Sequence, residues 1–421
     1  MGAKEIQILQ PVFCRQFSCI GPACTDNCCH TWRIDVDKDH YFQYRNVRDP
    51  EFHALCSTAL RRKKKDATPE SFAILAHPAD GKCSFQEEDG GCHIFRLLGE
   101  KALCTTCTVY PRRKTQFLPD LLEVSLSLSC EEAVRLALFS GGPVEFERIS
   151  YTPGGDDTLA QVPLVTVRGR GFSPPPPFGQ PLRQACLDLM ADQTWTPKER
   201  ILAIGLLLRR ADQLMKEDKA DQIPASSAQF IRLMKERPDT LSQLFQKPAY
   251  SREAHAGALR MPMAHLLAAG RKPVYQGLLD RLAAFCQWDA PNNTYRIGLH
   301  ALDQLLRETE AKSDPILERN PQAVENYFTC YLFSDMFPMY LLARGISLEE
   351  NAVLLAEQYA LLRILLAALP PEEGEDDQRR LTRGVVALAR ITQHSNIGKT
   401  FHALAKVSGL DSLGHAAYLL W

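Results

Sequence analysis

The chain has 421 residues, 24% of them charged, with 49 Lys and Arg against 50 Asp and Glu for a net charge of −1. That length predicts two or three domains with enough core to need no disulfide staples. A balance so near neutrality excludes the global positive field of a nucleic-acid binder.

The first residues, Met1 to Phe17, carry Lys4, Glu5 and Arg15 and hold no apolar run long enough for a signal-peptide core. The thiols are therefore expected to stay reduced in the cytoplasm, where clustered cysteines read as metal ligands or redox groups. From Met1 to about Ser140 the text is Cys-rich, with short irregular elements and many turn signals. The basic run Arg61 to Lys65 reads as a solvated helix face. Residues 141–181 form a Gly/Pro-rich connector with Pro153-Gly154-Gly155 and the run Pro174 to Pro177, and with one strand expected over Val162 to Val167.

Residues 182–421 change character and predict an α-helical domain. Thr196-Pro197-Lys198-Glu199 is a capping box with proline at the first helical position. Ile201, Ile204, Leu208, Ala211 and Met215 then follow at spacings of three and four, one face of a helix. Similar text covers Ser227–Glu236, Val274–Gln287, Tyr295–Lys312, Ala323–Phe337, Ser347–Leu369 and Gln378–Ile391. Ser347 with Glu350 is a second capping box, and Pro370-Pro371 with the acidic run to Asp377 ends a helix in a solvated loop. The aliphatic segment Ala352 to Leu369 is broken by Glu357, Gln358 and Arg363 and reads as a buried helix rather than a membrane span. Tyr327, Phe328, Phe333 and Phe337 sit at near-helical spacing and read as core. His394 and Asn396, before Gly398, read as a helix terminus. The expected class is mainly α, with a Cys-rich N-terminal domain ahead of a helical one.

Eleven of the fourteen cysteines lie in the first 130 residues, and Cys19, Cys24, Cys28 and Cys29 fall within eleven positions. A second group follows as Cys83, Cys92, Cys104 and Cys107, then Cys130. Thiolates suit zinc or an iron–sulfur cluster, which takes three or four of them. Gly21-Pro22 lets the chain turn so that Cys19 and Cys24 can face one centre, whereas the adjacent Cys28 and Cys29 are expected to diverge. Zinc sites commonly pair two short C-x₂₋₄-C elements, and Cys24/Cys28 with Cys104/Cys107 would satisfy that pattern. Spacing alone leaves iron–sulfur, zinc and plain redox or core thiols open. A radical S-adenosylmethionine loop needs C-x₃-C-x₂-C, and Thr31 stands where its third cysteine would be.

The C-x₄-C-x₃-C-C run after Phe17-Ser18, His30-x-Trp32, and Cys92 to Cys107-x-x-Tyr110-Pro111-Arg112 resemble the flagellin lysine-N-methylase family. That family sits within a wider set of zinc- or iron-chelating CxxxCxxCC proteins. Ser125 to Cys130, Glu325-Asn326-Tyr327 and Asp335-Met336-Phe337-Pro338 extend the likeness over nearly the whole chain, more weakly in the helical half. The resemblance implies methylation of flagellin lysines in the bacterial cytosol with S-adenosylmethionine, and a [4Fe-4S] cluster at the Cys-rich motif. The ligands it implies are Cys19, Cys24, Cys28 and Cys29, with Cys83, Cys92 and Cys107 as competitors; Cys104 stands outside that set. Zinc is the alternative metal.

No strand–GxGxxG–helix unit marks an S-adenosylmethionine site, and Gly169-Arg170-Gly171 reads as a turn. Asp26, Asp35 and Asp37 read as surface carboxylates before they read as groups tuning the site, and His30 as a packed or capping histidine before a ligand. Trp32, Tyr110 and Arg112 are expected to buttress the centre, with Pro111 fixing a turn past Cys107. The competing function is a non-enzymatic, zinc-stapled adaptor. A thiol-redox enzyme centred on Cys104-x-x-Cys107 lacks the βαβ setting of that motif. Membrane contact and self-assembly stay open at this level.

Overall fold

The computed structural model describes residues 5–29, 33–76, 81–118, 121–152, 158–166, 176–238, 251, 258–259, 286–289, 294–297, 299–340, 347–393 and 413–420. The mainly helical class holds, with helices filling the second half. The N-terminal part carries short irregular elements and, in addition, a five-stranded sheet not expected from the sequence.

That sheet joins β1 (Ile6–Pro11), β5 (Arg112–Leu118), β6 (Leu121–Leu126), β7 (Phe146–Tyr151) and β8 (Leu164–Thr166) in the order β7-β1-β6-β5-β8. β1 runs parallel to β6, pairing Gln7 with Leu121, and antiparallel to β7. All six residues of β6 are buried, as befits a central strand covered on both faces. Leu122 and Val124 face a small apolar layer with Ile8, Ile149 and Leu159. Between them Glu123 points to the opposite face and pairs with Arg183, whose Nη1 donates to Oε2 at 2.9 Å. β8 lies within the span expected as a connector strand.

A smaller sheet, β2 (Ile34–Val36), β4 (Ala73–Leu75) and β3 (Leu60–Arg62) in that order, supports the cysteine region with helices α1 (Lys38–Arg45), α2 (Pro50–Ala59), α3 (His93–Leu98) and α4 (Thr105–Val109). Its core packs Tyr44, Phe52, Phe85 and Ile94, and the cysteines Cys29, Cys92 and Cys107 sit partly buried against it. The basic run is solvated at Arg61 and Arg62, yet these residues form a strand, not a helix.

α5 (Glu131–Phe139) follows β6, and its buried Val134, Ala137 and Leu138 join the core of the helical half. Both capping boxes form: Thr196 Oγ1 accepts from Glu199 N, and Ser347 Oγ accepts from Glu350 N at 3.1 Å. The helix Leu348–Ala368 is long and apolar enough to cross a membrane, but its apolar stretch is completely buried by its neighbours. Tyr327, Phe328 and Phe333 are core residues, as their spacing implies.

Three expected helices differ. Cys286–Asp289 and Thr294–Ile297 pair as antiparallel strands, so helix begins only at Leu299. The helix Pro321–Tyr331 widens into π-helical turns over Leu332–Tyr340. Residues 274–285 of the expected Val274–Gln287 helix, the Phe337 side chain, His394 and Asn396 lie outside the described residues, as do residues 153–157 and 167–175 of the connector.

Buried charge pairs tie the helices together. Arg200 Nη1 donates to Glu325 Oε2 at 2.8 Å, and both side chains are only 2% exposed. Glu325→Ala should therefore strand a buried guanidinium and cost ~3–5 kcal/mol. Urea unfolding of the variant should show a midpoint shift of that order; an unchanged midpoint would contradict the pairing.

Candidate metal centre

The first cysteine loop is folded by a tight turn. Gly21 takes φ +54°, a conformation that favours glycine, and Cys24 N donates to Gly21 O at 3.0 Å. A single oxygen, Glu131 Oε2, then gathers the next residues: it accepts from Thr25 N at 2.8 Å, Thr25 Oγ1 at 3.0 Å and Asp26 N at 2.9 Å. The Cys24 thiol lies 3.4 Å from the same oxygen. Burial and this carboxylate push Cys24 far above the ordinary thiol range, so its sulfur is held as a protonated donor. Cys130, just before Glu131, is likewise pushed up to about 12, chiefly by burial and also by Cys28 and Cys19. Cys19 itself is exposed.

A few residues on, the chain turns the other way. Cys29 O accepts from Cys83 N at 2.7 Å, which seats the second cysteine segment against the first. Residues 83–92 close on themselves: Glu87 N donates to Gly91 O at 2.9 Å, and Gln86 bridges to Cys92. That fold sets Cys83 and Cys92 near one another, and Cys92 is the residue from which α3 departs.

Cys104 is the N-cap of α4, and Cys107 lies one turn later with the two sulfurs 3.7 Å apart. Cys104 does not cap with its own side chain; Asp37 does so instead, its Oδ2 accepting from Thr105 N and Thr105 Oγ1, each at 3.0 Å. The same carboxylate caps α1 through His40 N and contacts His40 Nδ1 at 2.8 Å. Against the cost of burial, these hydrogen bonds hold Asp37 well below the usual carboxylate range. Asp37 thus positions α4 rather than lying idle at the surface. Asp35 contributes its backbone, accepting from Thr106 Oγ1 at 2.6 Å, while its side chain pairs with Lys63 at 2.7 Å.

Six thiols consequently share one neighbourhood. Cys28 and Cys29 do not diverge: Cys29 donates to Cys28, which lowers Cys28 and raises Cys29, and Cys83 and Cys92 raise Cys29 further. The hydrogen bond between the Cys104 and Cys107 sulfurs lowers Cys104, while Cys107 is raised by Cys104, by burial and by Cys28 and Cys29. Burial, then Cys92, Cys104 and Cys28, push Cys83 up to about 11. Ionising this set without a cation would crowd negative charge in a place water reaches poorly. The donor chemistry fits a thiophilic metal group. Among the described residues no three His, Cys, Asp or Glu side chains stand close enough to hold a single metal ion.

Of the seven cysteines implied as ligands, the structure brings together Cys28, Cys29, Cys83, Cys92 and Cys107, adds Cys104, and leaves Cys19 and Cys24 beside Cys130. The C-x-x-C spacing of Cys104 and Cys107 was the available signal for the added thiol. Cys14, Cys56, Cys186 and Cys330 are buried elsewhere and serve as core. Tyr110 buttresses the region through Ser129, with 2.9 Å between hydroxyl oxygens, and Arg112 stacks over Phe17 with its guanidinium carbon 5.0 Å from the ring centre. The Tyr110–Pro111 bond is cis, and Pro111 O accepts from Ser127 N at 2.8 Å. His30 and Trp32 lie outside the described residues.

Residues 183–419 match the family model described as the FliB lysine N-methylase C-terminal domain. The chain belongs to that family. The matched span opens at Arg183, the partner of Glu123. Over 424 aligned residues the chain is 24% identical to the lysine-N-methylases of Salmonella typhimurium and Salmonella choleraesuis, covering 95% of each chain in both comparisons. It is also 34% identical over 129 residues to the flagellar biosynthetic protein FliU of Salmonella muenchen, covering 31% of this chain and 75% of that protein. No solved structure matches.

The arrangement separates the cysteines by role. Cys104→Ser or Cys107→Ser should strip most of the metal from protein purified without oxygen, whereas Cys24→Ser, whose thiol serves Glu131, should keep it. Metal analysis of the three variants checks this; loss confined to Cys24→Ser would reverse the assignment.

Proposed function

We propose that this protein transfers a methyl group from S-adenosylmethionine to lysine side chains of flagellin in the cytoplasm, and that its neighbouring thiols hold a [4Fe-4S] cluster. The observation that carries the reading is the gathering of six cysteine side chains from separate segments in a member of the lysine N-methylase family. The flagellar substrate rests on the name of the FliU relative.

The reaction breaks the methyl–sulfonium bond, forms a carbon–nitrogen bond and releases S-adenosylhomocysteine, with one amine proton passing to an acceptor. A lysine amine with an ordinary pKa of ~10.4 is neutral in only about one molecule in 2,500 at pH 7. The protein must therefore desolvate that amine and align it with the donor methyl, and alignment alone supplies ~7–11 kcal/mol of the barrier. A cluster among these thiols would supply a structural tie, an open iron for the cofactor's amino and carboxylate groups, or one electron. The chain's part is to present the sulfurs. Cys83 and Cys104 are buried, and Asp37 fixes the start of α4.

A second reading, a zinc-stapled adaptor, draws on one distance. Tetrahedral zinc with bonds of ~2.3 Å sets its sulfurs ~3.8 Å apart, close to the 3.7 Å between Cys104 and Cys107.

Protein purified without oxygen, incubated with labelled S-adenosylmethionine and flagellin, should yield methyl-lysine detectable by peptide mass spectrometry. Absence of product from protein with its metal intact would overturn the methyltransferase assignment.

A further inference from the structure

At the cysteine loops the helical half contributes the guanidinium of Arg390. This residue lies in the last turn of the helix Asp377–Gln393 and is 12% exposed. Its Nη1 donates to Asp26 Oδ1, its Nη2 to Asp26 O, and its Nε to Ser129 O at 3.0 Å. Asp26 stands midway between Cys24 and Cys28, and Ser129 immediately precedes Cys130. One planar guanidinium therefore spans two loops that are far apart in the chain, and each loop carries thiols.

We propose that Arg390 is a positioning residue of the metal centre, locking the 24–29 loop against the Ser129–Cys130 turn so that Cys28 and Cys29 face the sulfurs of the second cysteine group. The fork geometry is essential to this role. Three donors in one plane serve three acceptors on two loops, an arrangement that an ammonium on a flexible stem does not reproduce. Glu131, two residues past Ser129, also holds this loop, through the Thr25 and Asp26 backbone donors. Without Arg390 the loop keeps the Glu131 anchor at Thr25 and Asp26 and the Cys83 N–Cys29 O bond, and the Asp26 side chain and Ser129 O lose the guanidinium they share. The functional weight of this clamp rests on the metal-centre reading above, but its geometry does not.

The test uses full-length protein, stripped of metal and reduced, as wild type, Arg390→Lys and Arg390→Ala. Alkylation by iodoacetamide is followed at each cysteine by peptide mass spectrometry, with the exposed Cys19 as internal standard. Both variants should label severalfold faster at Cys28 and Cys130, while the core thiols Cys186 and Cys330 keep their wild-type rates. Reconstitution with iron and sulfide should then show metal affinity lowered ~10–100-fold, the usual effect of losing a group that orients ligands. Unchanged labelling of the loop thiols in Arg390→Lys overturns the proposal. So does equal acceleration at Cys186 and Cys330, which would mean general loosening; should Arg390→Ala unfold, Arg390→Lys decides alone. The labelling needs neither S-adenosylmethionine nor flagellin, so a failed methylation assay leaves this result standing, and the reverse.

Discussion

The centre depends on a few hydrogen bonds between loops that have little regular structure of their own. Cys83 N on Cys29 O closes one cysteine segment on the other, Asp37 fixes the first turn of α4 under Cys104, and Glu131 gathers the backbone around Thr25. Each uses a group that would otherwise be costly to bury unpaired. The result is sulfur from residues 28, 29, 83, 92, 104 and 107 in one buried to half-buried region. Burial penalises every one of those thiols when it ionises. A bound cation would offset that penalty.

The two parts of the chain are joined by polar contacts of unusual sequence reach. Arg183 pairs with Glu123 at the middle of the central strand, and Arg113 of the neighbouring strand pairs with Asp335 at 2.7 Å. Asn326 donates to Leu138 O at 3.2 Å and Gly142 O at 2.8 Å, and accepts from Val144 N, stitching the end of α5 to the helix Pro321–Tyr331. Arg390 completes the set at the cysteine loops. The span that matches the lysine N-methylase family thus buttresses the sheet and the cysteine loops as well as forming the helical core.

What could be read from the residues was local. Capping boxes at Thr196 and Ser347 involve partners three positions apart, and both formed. Apolar spacing of three and four marked the long helices because their buried faces repeat over many turns. The larger sheet escaped notice for the opposite reason: β6 is buried on both faces, so no alternation marks it, and short apolar runs do not distinguish strand from helix. The same ambiguity hid the strands Cys286–Asp289 and Thr294–Ile297 inside helical text. Cysteine density and C-x-x-C spacing marked the segments whose thiols the fold sets near one another. The roles of Glu131 and Arg390 were invisible, since their partners lie 105 and 364 positions away.

The most direct test of a shared sulfur-bound centre is the composition and spectrum of the protein isolated without air. A brown protein is expected, with about four irons and four sulfides per chain, iron–sulfur absorption and, on reduction, an EPR signal from the cluster. A colourless protein carrying zinc alone, or no metal at all, with no inorganic sulfide would contradict it.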